Sequence, residues 1–234
     1  MTPATAAPIG FALLLPLLLA AQPVATDSYL SALPAIAAEL GSASTSLTMF
    51  VLAFGVAQIP VGSLADRIGR RPVLLGGLAL YVVAALAGAL AMSAVMLACV
   101  RAVQGAAMAA ILVCSRAAVR DLYPAHEGMH VMARGLTGLG VVALIAPVLG
   151  AFIVQWAGWR WVLVLMAAYG AALLAMCWHS FGETRVPQAA GEPAAQGGVR
   201  EVFASRSFRV WSCLSASSYG GIFCFLLLSP MVYI

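Results

Sequence analysis

The chain has 234 residues, of which 63% are hydrophobic and 9% are charged, and its formal net charge is +4. A soluble globular domain has about 45–50% apolar and about 25% charged residues. The composition therefore excludes a water-soluble surface and predicts a membrane protein.

Seven apolar segments are each long enough to cross a bilayer as a helix, which takes about 20 residues. They predict an all-α, polytopic bundle of transmembrane helices, because a helix satisfies its own backbone hydrogen bonds in lipid. The N-terminus has no basic residue and no convincing cleavage site, so the first segment is expected to be a retained span. The predicted spans are residues 9–33, 47–64, 73–92, 94–114, 134–154, 160–180 and 209–229.

Arginines predict the orientation, since the sequence contains no lysine. With the N-terminus in the cytoplasm, the inner loops hold ten arginines and the outer loops hold only Arg160. We therefore expect a multi-pass protein of the cell inner (plasma) membrane with a cytoplasmic N-terminus. The arginines lie between apolar runs and no nucleic-acid-binding motif accompanies them, so no nucleic acid partner is expected.

A polar segment rich in Pro, Gly, Ala, Gln and Glu interrupts this pattern at residues 182–205. It predicts a cytoplasmic linker between an N-terminal six-helix transmembrane bundle, residues 1–181, and the start of a C-terminal bundle, residues 206–234. Six predicted spans precede the linker and one follows it. We therefore expect the second bundle to be truncated.

Other functional classes lack their sequence signatures. The cysteines lie in apolar runs without C-x-x-C spacing, so free buried thiols are expected. His126 and His130 are four residues apart in a predicted loop, and without a third ligand we expect no metal site there. The sequence has no G-x-S-x-G, H-E-x-x-H or G-x-x-x-x-G-K-[ST] motif, so neither an enzyme nor an ATP-driven pump is expected.

The segment GSLADRIGRRPVLL, residues 62–75, concentrates charge between two apolar spans. Gly62 and Gly69 are expected to permit a tight turn and a close helix approach. Asp66 and Arg70 are four residues apart and are expected to pair on one helical turn. The neighbouring arginines, Arg71 among them, are expected to face lipid headgroups.

This segment resembles the loop between the second and third spans of the major facilitator superfamily, whose pattern is G-x-L-a-D-r-x-G-R-R. The stretch 26–40 resembles the end of the first span in the drug-resistance branch named for bicyclomycin and chloramphenicol export (Bcr/CflA). Residues 101–124 resemble the fourth-span motif of that branch, and residues 146–165 resemble the antiporter motif and the Gly-Trp-Arg entry to the sixth span. The resemblance covers essentially the whole chain but only a little over half of a full-length member.

The resemblance implies an MFS-type six-span N-terminal half plus a seventh span, with a C-terminal half expected in the full-length protein. It implies a secondary transporter that exports small hydrophobic or amphipathic drugs in exchange for protons by alternating access. The expected partners are a small-molecule substrate, protons and the lipid bilayer, with the proton gradient as energy source and no cofactor. Two alternatives stay open: a transporter of a metabolite such as a sugar or amino acid, and a truncated fragment that does not transport.

The resemblance also implies a conformational latch. The pair of Asp66 and Arg70 is expected to reach Asp121, at the inner end of the fourth span, and to contact the opposite half of the transporter. Alternatively, the arginines only set topology. The predicted latch residues are Gly62, Asp66, Gly69, Arg70, Arg71 and Asp121.

Two charged residues within the spans are candidates for proton and substrate coupling. A cation such as Arg101 costs roughly 2.5–3.5 kcal/mol at a helix centre, so it is expected to face a wet cavity or a partner, or else to snorkel to the interface. Asp27 is the expected counter-charge, and the family analogy implies that it exchanges a proton or meets a cationic substrate. The alternative is that Asp27 caps a helix end.

Two sets of uncharged residues complete the predicted site. Gln58 and Gln104 are expected either to line a cavity or to join neighbouring helices by hydrogen bonds, and Tyr29 and Met108 are expected to add cavity lining. The fifth span contains small residues and a proline that match the antiporter motif, which in the family lies at the interface between halves. These antiporter-motif residues are Gly140, Ala146, Pro147 and Gly150.

Overall fold

Apolar stretches separated by Gly, Pro and Ser form helices in the computed structural model, which describes residues 9–184 and 204–233. Within these ranges the chain contains no strand. The chain forms two compact units, Met1–Val186 and Pro187–Ile234. The helices are α1 (Ile9–Leu30), α2 (Leu33–Leu40), α3 (Ser44–Ile68), α4 (Arg70–Ala89), α5 (Ala94–Leu122), α6 (Ala125–Ala157), α7 (Arg160–Ser180) and α8 (Arg206–Tyr233).

Six of the described helices, α1 and α3 to α7, are long and apolar enough to cross a membrane. The predicted all-α transmembrane bundle with six N-terminal spans is therefore confirmed. The predicted seventh span forms α8, and its crossing of a membrane stays a prediction. The residues of the predicted linker from 185 to 203 lie outside the described residues.

Two central helices carry the packing of the first unit. The apolar windows of α1 and α5 are each 67% buried, whereas those of α3 and α6 are 6% and 11% buried. Helix α5 packs against α3 and α4, and α1 packs against α6 and α7. Helices α1 and α5 are therefore enclosed, and the broad apolar faces of α3 and α6 are left open within this unit.

Glycines allow the closest helix crossings in this bundle. A Cβ atom on Gly105 of α5 would collide with the backbone of Phe50 in α3, and one on Gly150 of α6 would collide with the backbone of Ser28 in α1. In helices that span a membrane, small residues permit such approaches and raise the number of van der Waals contacts. These two crossings fix the peripheral helices α3 and α6 to the central ones.

The helices α5 and α6 extend beyond the predicted fourth and fifth spans. Helix α5 continues to Leu122 and α6 begins at Ala125, because helical geometry persists through a polar, arginine-bearing segment where a hydropathy window stops. His126 and His130, which we predicted in a loop, therefore lie in the first turns of α6. No group of three potential metal-ligating side chains occurs among the described residues.

Two further differences concern short features near helix ends. Gly62 was predicted at a turn, but it lies inside α3. The turn forms at Gly69, which has a φ of +109°, a conformation that glycine adopts without strain. The eight-residue helix α2 was not predicted. Its length gives too few turns for a periodic pattern, and the predicted first span, residues 9–33, overlaps its first residue.

Candidate functional site

Arg101 is fully buried where α1, α5 and α7 meet. Its Nη2 donates a hydrogen bond of 2.9 Å to the backbone carbonyl of Ala25 in α1. Its Nη1 donates one of 2.6 Å to Oε1 of Gln104 and lies 3.8 Å from the sulfur of Met166. Arg101 therefore finds protein partners inside the bundle, and it does not snorkel to an interface.

Two aromatic rings enclose the guanidinium group. The Cζ atom of Arg101 lies 4.1 Å from the ring centroid of Tyr29 and 4.2 Å from that of Phe50. Ring faces attract cations through their quadrupole, and more strongly where water is excluded. The hydroxyl of Tyr29 lies 2.6 Å from that of Ser46, which itself donates to the carbonyl of Ala43, so Tyr29 is the donor in this pair.

No carboxylate balances the charge of Arg101. None of the described acidic residues lies within 4.0 Å of its nitrogen atoms, and Asp27, the predicted counter-charge, forms no ion pair with it. The Nε atom of Arg101 is buried and has no hydrogen-bond partner among the described residues. The guanidinium is thus solvated by neutral dipoles and ring faces alone.

Asp27 lies in the last turn of α1, two residues from the carbonyl that binds Arg101, and its side chain is partly exposed. Its Oδ1 atom lies 2.7 Å from the hydroxyl of Thr26. The helix-end cap that we gave as the alternative for Asp27 is wrong, because α2 begins after Ala32 with no side-chain capping bond. Asp27 is therefore a partly exposed carboxyl group on the helix whose backbone binds the enclosed cation.

The predicted cavity residues divide into two groups. Tyr29, Gln104 and Met108 are fully buried inside the unit, where Tyr29 and Gln104 hold Arg101. Gln58 is partly exposed on α3 and makes no hydrogen bond to the described part of the chain. Gln104 joins α5 to α7 through its Nε2, which lies 3.8 Å from the sulfur of Met166, and this is the second of the two roles we expected for it. Lining of a cavity by all four residues stays a prediction.

A groove between the N-terminal halves of α3 and α5 offers a volume of about 410 Å³. Its size lies within the range of about 300–1,000 Å³ that is typical of small-molecule sites. Sequence reasoning missed this groove, although alanines at four-residue spacing on α5 form one wall and are its sequence signal. The lining consists of Ser42, Thr45, Met49, Ala94, Val95, Ala98, Cys99 and Ala102.

The predicted latch residues converge at the end of the bundle away from this groove, which we call the Arg70 end. Arg70 is buried, and its Nη1 lies 2.6 Å from Oδ1 of Asp66 while its Nε donates a hydrogen bond of 3.1 Å to Oδ2 of Asp121. One arginine therefore joins the end of α3 to the end of α5. Arg71 donates from Nη2 to the backbone carbonyl of Trp178 at 3.0 Å, so it holds α7 and does not only face lipid.

Glu183 is a member of this cluster that sequence reasoning missed. Its carboxylate accepts hydrogen bonds from the backbone N–H groups of Arg70 and Arg71, at 2.9 and 3.2 Å. These are the first N–H groups of α4, which have no partner within the helix. No sequence signal marks this contact, because 112 residues separate Glu183 from Arg71.

The antiporter-motif residues lie on two faces of α6. Ala146 and Gly150 are buried against α1, and the carbonyl of Pro147 accepts a hydrogen bond of 2.8 Å from the hydroxyl of Ser31. Gly140 lies on the exposed face with no atom within 4 Å of its Cβ position. Within this unit the motif therefore fixes α6 to α1, and contact with another half stays a prediction.

At the end of the bundle away from Arg70, which we call the Glu39 end, one carboxylate joins α2 to α7. Glu39 accepts 2.7 Å hydrogen bonds from Nε1 of Trp159 and from Nη1 of Arg160, which also donates from Nη2 to the carbonyl of Ala91. The bond from Trp159, followed by that from Arg160, lowers the pKa of the Glu39 carboxyl below its ordinary value. Three hydrogen bonds thus join α2, the α4–α5 connection and the start of α7 at one point.

Comparison with known proteins gives a consistent set of relatives. A family model described as Major Facilitator Superfamily matches residues 15–234. The chain is 34% identical over 210 residues to the chloramphenicol resistance protein of Pseudomonas aeruginosa, an alignment that covers 87% of this chain and 49% of that protein. It is 29% identical over 216 residues to multidrug resistance protein MdtL of Shewanella oneidensis, covering 90% and 54% respectively. The chain spans about half the length of these curated relatives.

A solved structure supports the architecture. A bacterial homologue of the human lysosomal transporter Spinster, in an inward-facing and unoccupied conformation, matches with a TM-score of 0.61 over 87% of this chain and 49% of that one. The sequence identity is 18%, so this likeness concerns the fold alone. Half of a transporter chain therefore has the helix arrangement described above.

Proposed function

The chain belongs to the major facilitator superfamily, and from that premise we propose that the full-length protein is a proton-coupled exporter of small hydrophobic or amphipathic compounds. Two relatives with multidrug or chloramphenicol resistance in their names support the choice of exported compound. The chain is not an enzyme but part of a multi-pass membrane transporter. We assign it to the inner membrane, with the N-terminus in the cytoplasm.

The observation that carries the proton coupling is the uncompensated cation Arg101, which is bound to α1, the helix that also carries Asp27. Arg101 is fully buried with neutral partners, and the carbonyl of Ala25 holds it two residues from Asp27. Burial disfavours a charged carboxylate, whereas a nearby arginine favours it. A rearrangement that brings Asp27 towards Arg101 would release its proton, and one that separates the two would favour proton uptake. Proton exchange at Asp27 is thereby coupled to conformation.

The groove between α3 and α5 supports an apolar substrate. Its lining includes the hydroxyls of Ser42 and Thr45 but no Asp, Glu, Arg or Lys. A site without charges offers no compensation for a multiply charged substrate, and it suits compounds that bind by apolar contact and a few hydrogen bonds. A sugar or amino acid would need more polar groups, so transport of a metabolite is the second candidate.

Alternating access requires a second half, which would lie over the open faces of α3 and α6. The latch at the Arg70 end would hold one conformation by contact with that half, and its release would permit the other. A six-helix unit cannot enclose a site between two halves. We therefore propose that transport requires the full-length protein and that this chain alone does not transport.

Transport into vesicles tests this function. The full-length protein is reconstituted into liposomes with an imposed pH gradient, and accumulation of chloramphenicol is compared with that of a sugar and an amino acid. We expect gradient-dependent accumulation of chloramphenicol, its loss in Asp27→Asn, and retention in Glu127→Gln, which changes an exposed acid of the same charge. Accumulation of the metabolites alone would support the second candidate, and accumulation of none of the compounds would reject a transport function for them.

A further inference from the structure

We propose that Thr26 is a positioning residue for Asp27, whose hydroxyl reverses its hydrogen bond when Asp27 gains or loses a proton. The proposal rests on the proposed function, because it concerns how the proton-exchanging carboxyl group is held. Neither the motif pattern nor the resemblance assigns a role to Thr26. The inference comes from the distances around its hydroxyl oxygen.

The hydroxyl of Thr26 has two oxygen neighbours and one proton. Its Oγ1 atom lies 2.7 Å from Oδ1 of Asp27 and 3.0 Å from the backbone carbonyl oxygen of Gln22. A hydroxyl donates one hydrogen bond and accepts up to two. It therefore donates either to the carboxylate or to the carbonyl, but not to both.

The protonation state of Asp27 decides between the two arrangements. When Asp27 is ionised it is only an acceptor, so the hydroxyl of Thr26 donates to it. When Asp27 is protonated, its own O–H donates to Oγ1 of Thr26, and the hydroxyl proton turns to the carbonyl of Gln22. The incoming proton comes from water at the partly exposed carboxyl group, and no heavy-atom bond forms or breaks.

The hydroxyl of Thr26 has a hydrogen-bond partner in both arrangements, so the exchange between them has a low energetic cost. Thr26 is a buried residue with 7% exposure, where a polar atom without a partner is destabilising. In neither state does its hydroxyl lack an acceptor, and the carbonyl of Gln22 is also within reach of the helical N–H of residue 26. Thr26 therefore keeps the carboxyl hydrogen-bonded to its own helix in both protonation states.

No other described side chain forms a hydrogen bond with the carboxyl of Asp27. On α5, Arg101 binds the carbonyl of Ala25 and not Asp27. The half of α6 that packs here, residues 141–157, contains no ionisable side chain. On α7, Arg160 is bound to Glu39, and Tyr169 donates to the carbonyl of Leu17. Among the described residues, the hydroxyl of Thr26 is the hydrogen-bond partner of Asp27.

Infrared difference spectroscopy of the full-length protein in lipid nanodiscs tests the proposal. Spectra at high and low pH isolate the carbonyl stretch of protonated carboxyl groups, and the band that disappears in Asp27→Asn belongs to Asp27. In Thr26→Val this band should move to higher wavenumber, since the carboxyl loses its partner. The pH midpoint of the band should also shift by about one unit, the scale of a hydrogen bond to a charged group.

Matched variants separate this role from a structural one. Thr26→Ser keeps the hydroxyl and should leave the band at its wild-type position. Thr48→Val removes a hydroxyl that bonds a helix carbonyl, that of Ser44 at 3.1 Å, without a carboxylate, and should not move the band. If Thr26→Val does not yield folded protein, the smaller Thr26→Ala carries the same test.

The outcomes distinguish the role of Thr26 from proton exchange at Asp27. A band that keeps its position and its pH midpoint in Thr26→Val or Thr26→Ala overturns the role of Thr26 and leaves proton exchange at Asp27 intact. If no pH-dependent band disappears in Asp27→Asn, then Asp27 does not titrate. That result overturns the proposed proton coupling itself, together with the role of Thr26.

Discussion

Glu183, just after α7, accepts a hydrogen bond of 2.9 Å from the backbone N–H of Arg70, the first residue of α4. The same carboxylate reaches the next N–H, so one acidic side chain caps the helix on which the latch arginine stands. A negative charge at a helix N-terminus is also favoured by the helix dipole. The position of Arg70 thus depends on a residue 113 positions away.

We expect Glu183→Gln to lower the free energy of unfolding by about 0.5–2 kcal/mol, the usual cost of losing an N-terminal cap. Glutamine keeps the size but replaces one carboxylate oxygen by an amide donor. Denaturant titration of the full-length protein in detergent measures the loss. The control Glu127→Gln changes an exposed acid whose partner is His126 at 3.7 Å, and should cost less than about 0.5 kcal/mol. Equal effects of the two variants would contradict the capping role.

The two acids that bind Arg70 are expected to differ in their contribution to stability. Asp121 is 15% exposed and Asp66 is 62% exposed. Loss of a hydrogen bond to a charged group in a buried setting costs about 1.5–3 kcal/mol, whereas an exposed ion pair contributes about 0–1 kcal/mol. Asp121→Asn should therefore destabilise more than Asp66→Asn in the same titration. The reverse order would mean that Arg70 depends on the exposed partner.

The crossing of α3 and α5 should tolerate no side chain at Gly105. A Cβ atom there would overlap the backbone of Phe50, which cannot move aside as a flexible side chain does. We expect Gly105→Ala to cost about 1–3 kcal/mol, as overpacking does. Gly140→Ala is the matched control, since nothing lies within 4 Å of its Cβ position. A Gly105→Ala variant as stable as Gly140→Ala would rule out the close crossing.

Stability should depend on pH through Glu39. The pKa of its carboxyl is lowered in the folded state by the bonds from Trp159 and Arg160. The stabilisation is therefore present above the ordinary pKa and is lost as the pH falls through the folded pKa. At pH 7 the wild type should melt at a higher temperature than Glu39→Gln, and the gap should close in acid. A gap that stays constant down to the lowest pH would exclude this carboxylate as the cause.

Sequence reasoning predicted the six spans, the charged pair of Asp66 and Arg70, and its contact with Asp121. Hydropathy and helical spacing determine these features locally, and the family resemblance supplied the third partner. Sequence reasoning could not predict the capping role of Glu183 or the enclosure of Arg101, because these contacts join helices far apart in the chain. The role of Thr26 likewise depends on the distance to a backbone carbonyl, which no residue pattern encodes.

The most direct test of proton coupling is release of a proton when substrate binds. Chloramphenicol is added to the full-length protein in weakly buffered nanodiscs, and the pH of the medium is recorded with a soluble indicator dye. We predict proton release by the wild type and by Glu127→Gln, and none by Asp27→Asn at saturating chloramphenicol. The same release from Asp27→Asn, with binding confirmed by calorimetry, would contradict the assignment of Asp27 as the proton-exchanging group.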